Sequence, residues 1–143
     1  MSLDPVATVV VAAPNPADRS WLRQVLEASG EFRVVSEAED GVQAIQSVAQ
    51  HHPDVLVIDL LMHQHAISGL EVIPSVRSRS SQTVIVLLAE AGLEAAVRVA
   101  RRLGASAWIT REQSGERVVR TIQVATGHEL TGAPYRSPIQ ARS

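Results

Sequence analysis

The chain contains no cysteine, which excludes disulfides, a thiol nucleophile and any zinc site built on thiolates. It has no lysine either: all 13 basic side chains are arginine, a bias that matters at Arg111. No apolar stretch reaches the roughly 18 uncharged residues that would suggest a membrane span. The segment Met1-Ser2-Leu3-Asp4-Pro5 lacks the basic flank and apolar block of a secretory leader, so a cytoplasmic location without membrane contact is expected. A net charge of -2 gives no basic face for nucleic acid. What is present suits one folded unit: 143 residues, 45% of them apolar, suffice to bury a core.

Five short β-branched runs alternate with five helical patterns, which argues for a parallel sheet covered on both faces. The expected strands are Ala7 to Ala13, Phe32 to Ser36, Val55 to Asp59, Thr83 to Leu88 and Ala107 to Thr110. Asn15 caps the first helix, Pro16 suits its first position, and Asp18 belongs at its electropositive N-terminus. Leu22, Val25 and Leu26 form its inward stripe, and Gly30 stops it. The second helix follows Asp40-Gly41 and is expected to bury Val42, Ile45 and Ala49. The third begins near Gly69, with Pro74 close to its first turn. The fourth runs from Glu90 to Leu103, and the fifth from Ser114 to Thr126 with Val118, Ile122 and Ala125 inward. After Gly127 the period dissolves, so residues 1–127 read as the domain and 128–143 as a linker or tail.

Asp59 is the residue with the clearest chemical meaning. It places a carboxylate at the C-terminal end of a buried parallel strand, the edge of an open α/β sheet where ligands and chemistry gather. His63 and His65 flank the same edge, as solvated side chains or, with Asp59, as transition-metal ligands. His51 and His52 precede the third strand and belong at the opposite edge. Trp21 lies off the first helix's inward stripe and is expected to be partly exposed.

The order of these elements, with an acid closing the third strand and Gly104-Ala105-Ser106 before the fifth, resembles the receiver domain of two-component response regulators over residues 7–127. Three stretches are similar to receivers that precede a helix-turn-helix output domain: Gly30 to Ala38, Asp40-Gly41, and Gly104 to Ile109. The tail Pro134-Tyr135-Arg136-Ser137-Pro138 is similar to the linker that enters such a domain. The resemblance implies a flavodoxin-like, doubly wound (βα)5 fold with strand order 2-1-3-4-5. It implies a non-enzymatic switch: a histidine kinase phosphorylates an aspartate, an acid pair after the first strand holds Mg²⁺, and a hydroxyl and a lysine contact the phosphate. The chemistry requires that equipment, because a phosphoryl group in transfer needs its charge neutralised.

Asp59 matches the phosphoacceptor position, but the acid pair falls on Ala13 and Pro14, which carry no side-chain oxygen. The hydroxyl expected after the fourth strand falls on Leu88, and the lysine on Arg111. With the acid pair missing and Arg111 at the lysine position, the resemblance implies that the pKa of Asp59 falls. Trp108 matches an aromatic that moves with that hydroxyl, and an apolar contact with Leu88 is expected to fix it. The implied reading is an atypical receiver that binds Mg²⁺ weakly or not at all. Two alternatives stand beside it. One is a receiver phosphorylated on Asp59 after all; the other is a small-molecule sensor whose emptied pocket is lined by Ala13, Pro14, Leu61 and Leu88. The implied partners are a second copy through the fourth helix, fifth strand and fifth helix, with Arg98, Arg101 and Arg102 at the interface, and a histidine kinase. DNA would be reached only through an output domain outside these residues, since no basic recognition helix lies within them.

Overall fold

A computed structural model of the chain describes residues 6–62 and 69–127. The strands are β1 (Ala7–Ala12), β2 (Phe32–Ala38), β3 (Val55–Asp59), β4 (Val84–Leu88) and β5 (Ala105–Ile109). The helices are α1 (Pro16–Ala28), α2 (Gly41–His51), α3 (Gly69–Arg79), α4 (Glu94–Leu103) and α5 (Gly115–Thr126). All neighbouring strands pair in parallel, in the order β2-β1-β3-β4-β5, the flavodoxin-like arrangement.

The alternation of side chains along each strand divides the core in two. Val9, Val11, Val55, Val57, Val86 and Leu88 pack with Leu22 and Leu26 of α1 and with Val118 and Ile122 of α5. Val10, Leu56, Ile58, Ile85 and Leu87 pack on the other face, with Ala44 and Val48 of α2, Val72, Ile73 and Val76 of α3, and Val97 and Ala100 of α4. Every residue of β3 is buried, as its unbroken apolar run requires of a central strand covered on both sides.

Several local expectations change. Pro74 is the sixth residue of α3, inside the helix rather than close to its first turn. α4 begins at Glu94 rather than Glu90, because Gly92 holds a φ of +94° that no helix contains. The inward positions of α2 are Gly41, Ala44 and Val48, with Ile45 half-buried against them; Val42 is 43% exposed and Ala49 also faces outward. Small residues at 41 and 44 let the helix sit close to the sheet, and that closeness sets the phase in place of the bulkier Val42. β5 starts at Ala105 and β2 runs on to Ala38, so each is longer at one end than the β-branched pattern suggests. Residues 128–143, expected to form a linker or tail, lie outside the described residues, as do His63 and His65.

The parallel order collects the β1–α1, β3–α3, β4–α4 and β5–α5 connections at one edge of the sheet. Asp59 continues the alternation of Val55 and Val57, so its side chain faces α1 and α5. Everything that can touch it must come from those elements or from the connections beside them.

Candidate functional site

α1 supplies the first partner. Asn15 caps the helix by accepting from the Ala17 N–H at 2.9 Å, and Pro16 occupies its first turn. With the helix so anchored, Asp18, Leu22 and Leu26 form one buried stripe at four-residue spacing. Asp18 thus points inward, 8% exposed, toward the end of the sheet. Its side chain does not cap the helix; it is spent on Arg111.

Arg111, just beyond β5, is the centre of the site. Its Nε donates to Asp18 Oδ1 at 2.9 Å and its Nη2 to Asp18 Oδ2 at 2.8 Å, a two-pronged pair. Nη2 also donates to Asp59 Oδ2 at 3.0 Å, and Nη1 to Glu90 Oε1 at 3.2 Å. One guanidinium therefore joins carboxylates from α1, β3 and the β4–α4 connection. A lysine ammonium has no comparable planar fork. The remaining oxygen of Asp59, Oδ1, accepts from the Leu61 N–H at 2.9 Å.

Burial dominates the electrostatics of Asp59. Desolvation pushes its pKa above the ordinary carboxylate value, and the Asp18 carboxylate adds to the rise; the Leu61 N–H and Arg111 pull the other way without cancelling it. The expected fall is thus reversed, because burial outweighs the pull of Leu61 and Arg111 and a second carboxylate stands beside the first. Arg111 moves upward, chiefly through its bonds to Asp18. Since the folded protein holds the Asp59 proton more tightly than the unfolded chain, this group favours folding most when protonated. That contribution is lost as pH rises from the ordinary carboxylate value through the raised one. Asp59→Asn has no proton to lose, so its stability relative to wild type should climb with pH across this window. Urea unfolding at a series of acid to neutral pH values checks the slope.

A five-stranded parallel sheet in this order, with an acid at the end of its central strand and a cation beyond its last, defines a receiver domain. The family model for the response regulator receiver domain matches residues 9–123, and the chain belongs to that family. It is 26% identical to the nitrate/nitrite response regulator NarL of Escherichia coli K12 over 143 residues, covering all of this chain and 65% of the relative. It is 28% identical to the chemotaxis protein CheY of Bacillus subtilis over 104 residues, covering 73% of this chain and 84% of CheY. Among solved structures, the signal receiver domain of NarL from Mycobacterium tuberculosis superposes with a TM-score of 0.78 at 29% identity, covering 86% of this chain and 98% of that one. The chain spans 52% to 65% of the length of the NarL relatives it matches. Among the described residues no helix is long and apolar enough to cross a membrane.

The positions singled out by the sequence are not all brought together. Ala13 is fully buried at the end of β1 and Pro14 follows it; their carbonyls accept from Arg19 Nη1 at 2.6 Å and 3.2 Å. The same arginine pairs with Glu37 at 3.2 Å and lies within 3.8 Å of Glu39. Leu88 pairs in register with Asp59 but packs into the α1/α5 core. Trp108 pairs in register with Leu87, on the opposite face, and lines a cavity of about 170 Å³ with Glu90, Glu94, Val97, Arg98 and Arg101. The expected Leu88–Trp108 contact is thereby replaced. The residue that follows β4 is Ala89, buried on the same face as Leu87, and it too has no hydroxyl. Of the residues named for an apolar pocket, Ala13 and Leu88 are fully buried and Leu61 is 44% exposed. Trp21 is half-buried against the α1/α5 core, and His51 and His52 lie at the far edge, before β3.

As a ligand set for a hard divalent ion these residues fit poorly. Ala13 and Pro14 bring no side-chain oxygen, their carbonyls are engaged by Arg19, and both Asp59 oxygens already accept hydrogen bonds. Among the described residues no group of three or more His, Cys, Asp or Glu side chains is placed to hold a metal. Asp18 was expected only at the N-terminus of the first helix and Glu90 at the start of the fourth, and neither was expected to bond Arg111. Asp18 had a usable signal: it stands four residues before Leu22 and eight before Leu26, on the stripe already assigned to the interior.

Proposed function

We propose that the chain is an atypical receiver, a non-enzymatic signalling and interaction module whose state does not depend on Mg²⁺-assisted phosphorylation of Asp59. One observation carries the reading: Arg111 bonds Asp59 and Asp18 through the same nitrogen, so the acceptor carboxylate is already paired with a resident cation. Ala13, Pro14 and Ala89 support it, because none can bind a divalent ion or a phosphoryl oxygen through its side chain. The module works by changing partners. A second copy is expected to dock on α4, β5 and α5, where Glu90 and Glu94 stand at one end of the Trp108 cavity and Arg98 and Arg101 at the other. A two-fold axis would set the acidic end of one copy against the basic end of the next. In a longer protein of the NarL kind, a DNA-binding output domain outside these residues would carry the transcriptional response inside the cytoplasm.

Incubation with acetyl phosphate and Mg²⁺, read by intact mass, tests this directly. No phosphate adduct is expected on the wild-type chain. An adduct that disappears in Asp59→Ala would replace the proposal with an ordinary phosphorylatable receiver and a cognate histidine kinase.

A further inference from the structure

We infer that Asp18 is an internal oxyanion surrogate: its carboxylate fills the place at Arg111 that a small oxyanion docked beside Asp59 would need. Asp18 Oδ2 and Asp59 Oδ2 bond the same guanidinium nitrogen, at 2.8 Å and 3.0 Å, so an anion is permanently held next to the acceptor carboxylate. The second prong, Nε to Asp18 Oδ1, completes the two-oxygen grip by which arginine recognises carboxylates and phosphates alike. Charge points the same way. Three carboxylates share the single Arg111 cation, and Asp18 is nearly as buried as Asp59. Two like charges are thus kept side by side in a partly desolvated place, which only a strong shared partner offsets.

Position in the chain makes the arrangement a device of the fold. Asp18 and Arg111 lie 93 residues apart and meet only when α1 and the β5–α5 connection reach the same sheet edge. The third edge of the guanidinium holds Glu90, which also lines the cavity at Trp108. An anion fixed at Arg111 therefore steadies the connection that leads to the proposed docking face. This rests on the proposed function: the surrogate matters because the chain signals without an added phosphoryl group.

The test removes the surrogate and offers a substitute. The 143-residue chain is compared with Asp18→Gly and with Asp18→Gly/Arg111→Ala by thermal unfolding without divalent ions, at mildly acidic pH, in formate, in phosphate and in chloride of equal ionic strength. Asp18→Gly should gain melting temperature in formate or phosphate over chloride, with no such anion-specific gain in wild type or in the double variant. Formate alone would mark the vacated place as carboxylate-selective, and both together as a general oxyanion site; either outcome supports the surrogate. Equal responses in all three chains, or none in Asp18→Gly, would overturn it. Should Asp18→Gly not fold, Asp18→Ala empties the same place without glycine's helix penalty, and the Arg111 Nε–H resonance becomes the readout. A resonance unchanged from wild type, or one that shifts but is indifferent to added formate and phosphate, overturns the inference; a shift reversed by either anion supports it. The mass measurement on Asp59 is independent, so a phosphorylated wild type would sink the proposed function while leaving this result to stand or fall separately.

Discussion

Arg111→Ala is expected to destabilise the fold by about 3–5 kcal/mol near neutral pH, the usual result of removing one partner from a buried charge cluster. Asp18 and Asp59 are 8% and 6% exposed, and the substitution leaves both without their shared counter-charge. Glu90, more than half exposed, contributes little to the loss. The deficit has a pH signature. Without Arg111 the buried Asp59 loses a group that holds its pKa down and binds a proton more readily in the folded state, so lowering the pH returns part of the stability. Arg111→Lys restores the charge but not the fork, and should lose about 1.5–3 kcal/mol, the worth of charge-assisted hydrogen bonds that an ammonium cannot remake together. Urea unfolding of the three proteins at neutral and acid pH checks the order wild type, Lys, Ala. Equal stability of Arg111→Ala and wild type would mean that the cluster is solvated and carries no such role.

Gly69→Ala should be the most damaging conservative change at this end of the sheet. A Cβ there would lie 2.7 Å from the Asp59 carbonyl oxygen and 2.8 Å from that of Leu60, both backbone atoms that cannot turn aside. Either α3 retreats from the sheet or the turn after β3 is displaced. Forced overpacking of this kind costs about 1–3 kcal/mol, and rigid neighbours push toward the upper end. The displaced turn is the one whose Leu61 N–H holds Asp59 Oδ1 and whose Met62 N–H donates to the Asp59 carbonyl at 3.1 Å. The loss should therefore appear in two measurements: a lower melting temperature, and a changed pH dependence of stability around Asp59. A Gly69→Ala protein with wild-type values in both would show that the helix start has room to spare.

The sheet was legible in the sequence because β-branched runs of strand length announce themselves. Val55 to Asp59 was placed without error, and strand order followed once the family was recognised. α4 was drawn too long because Glu90 and Ala91 suit a helix, and only the backbone shows Gly92 turning it off. α2 was set in the wrong phase because Val42 outweighs Ala44 in hydrophobicity, whereas packing distance favoured the smaller residues. The site was half legible. Asp59, Arg111, Ala13 and Pro14 could be named from their order along the chain. The Asp18–Arg111 pair could not, since it spans 93 residues and depends on how far α1 leans over the sheet edge. Leu88 could be placed beside Asp59 from strand order, but that its side chain is absorbed into the α1/α5 core is a matter of packing that only the structure shows.

Arg19 carries a further consequence for any redesign of this edge of the sheet. Its guanidinium holds the carbonyls of Ala13 and Pro14 and reaches across to Glu37 on β2, so a cation cross-braces the turn after β1, where the resemblance to receivers implies an acid pair. Grafting two aspartates onto that turn would leave its carbonyls bound to Arg19 and the acceptor bound to Arg111. Building a divalent-ion site at this end of the sheet would therefore take changes at Arg19 and Arg111 as well as at residues 13 and 14.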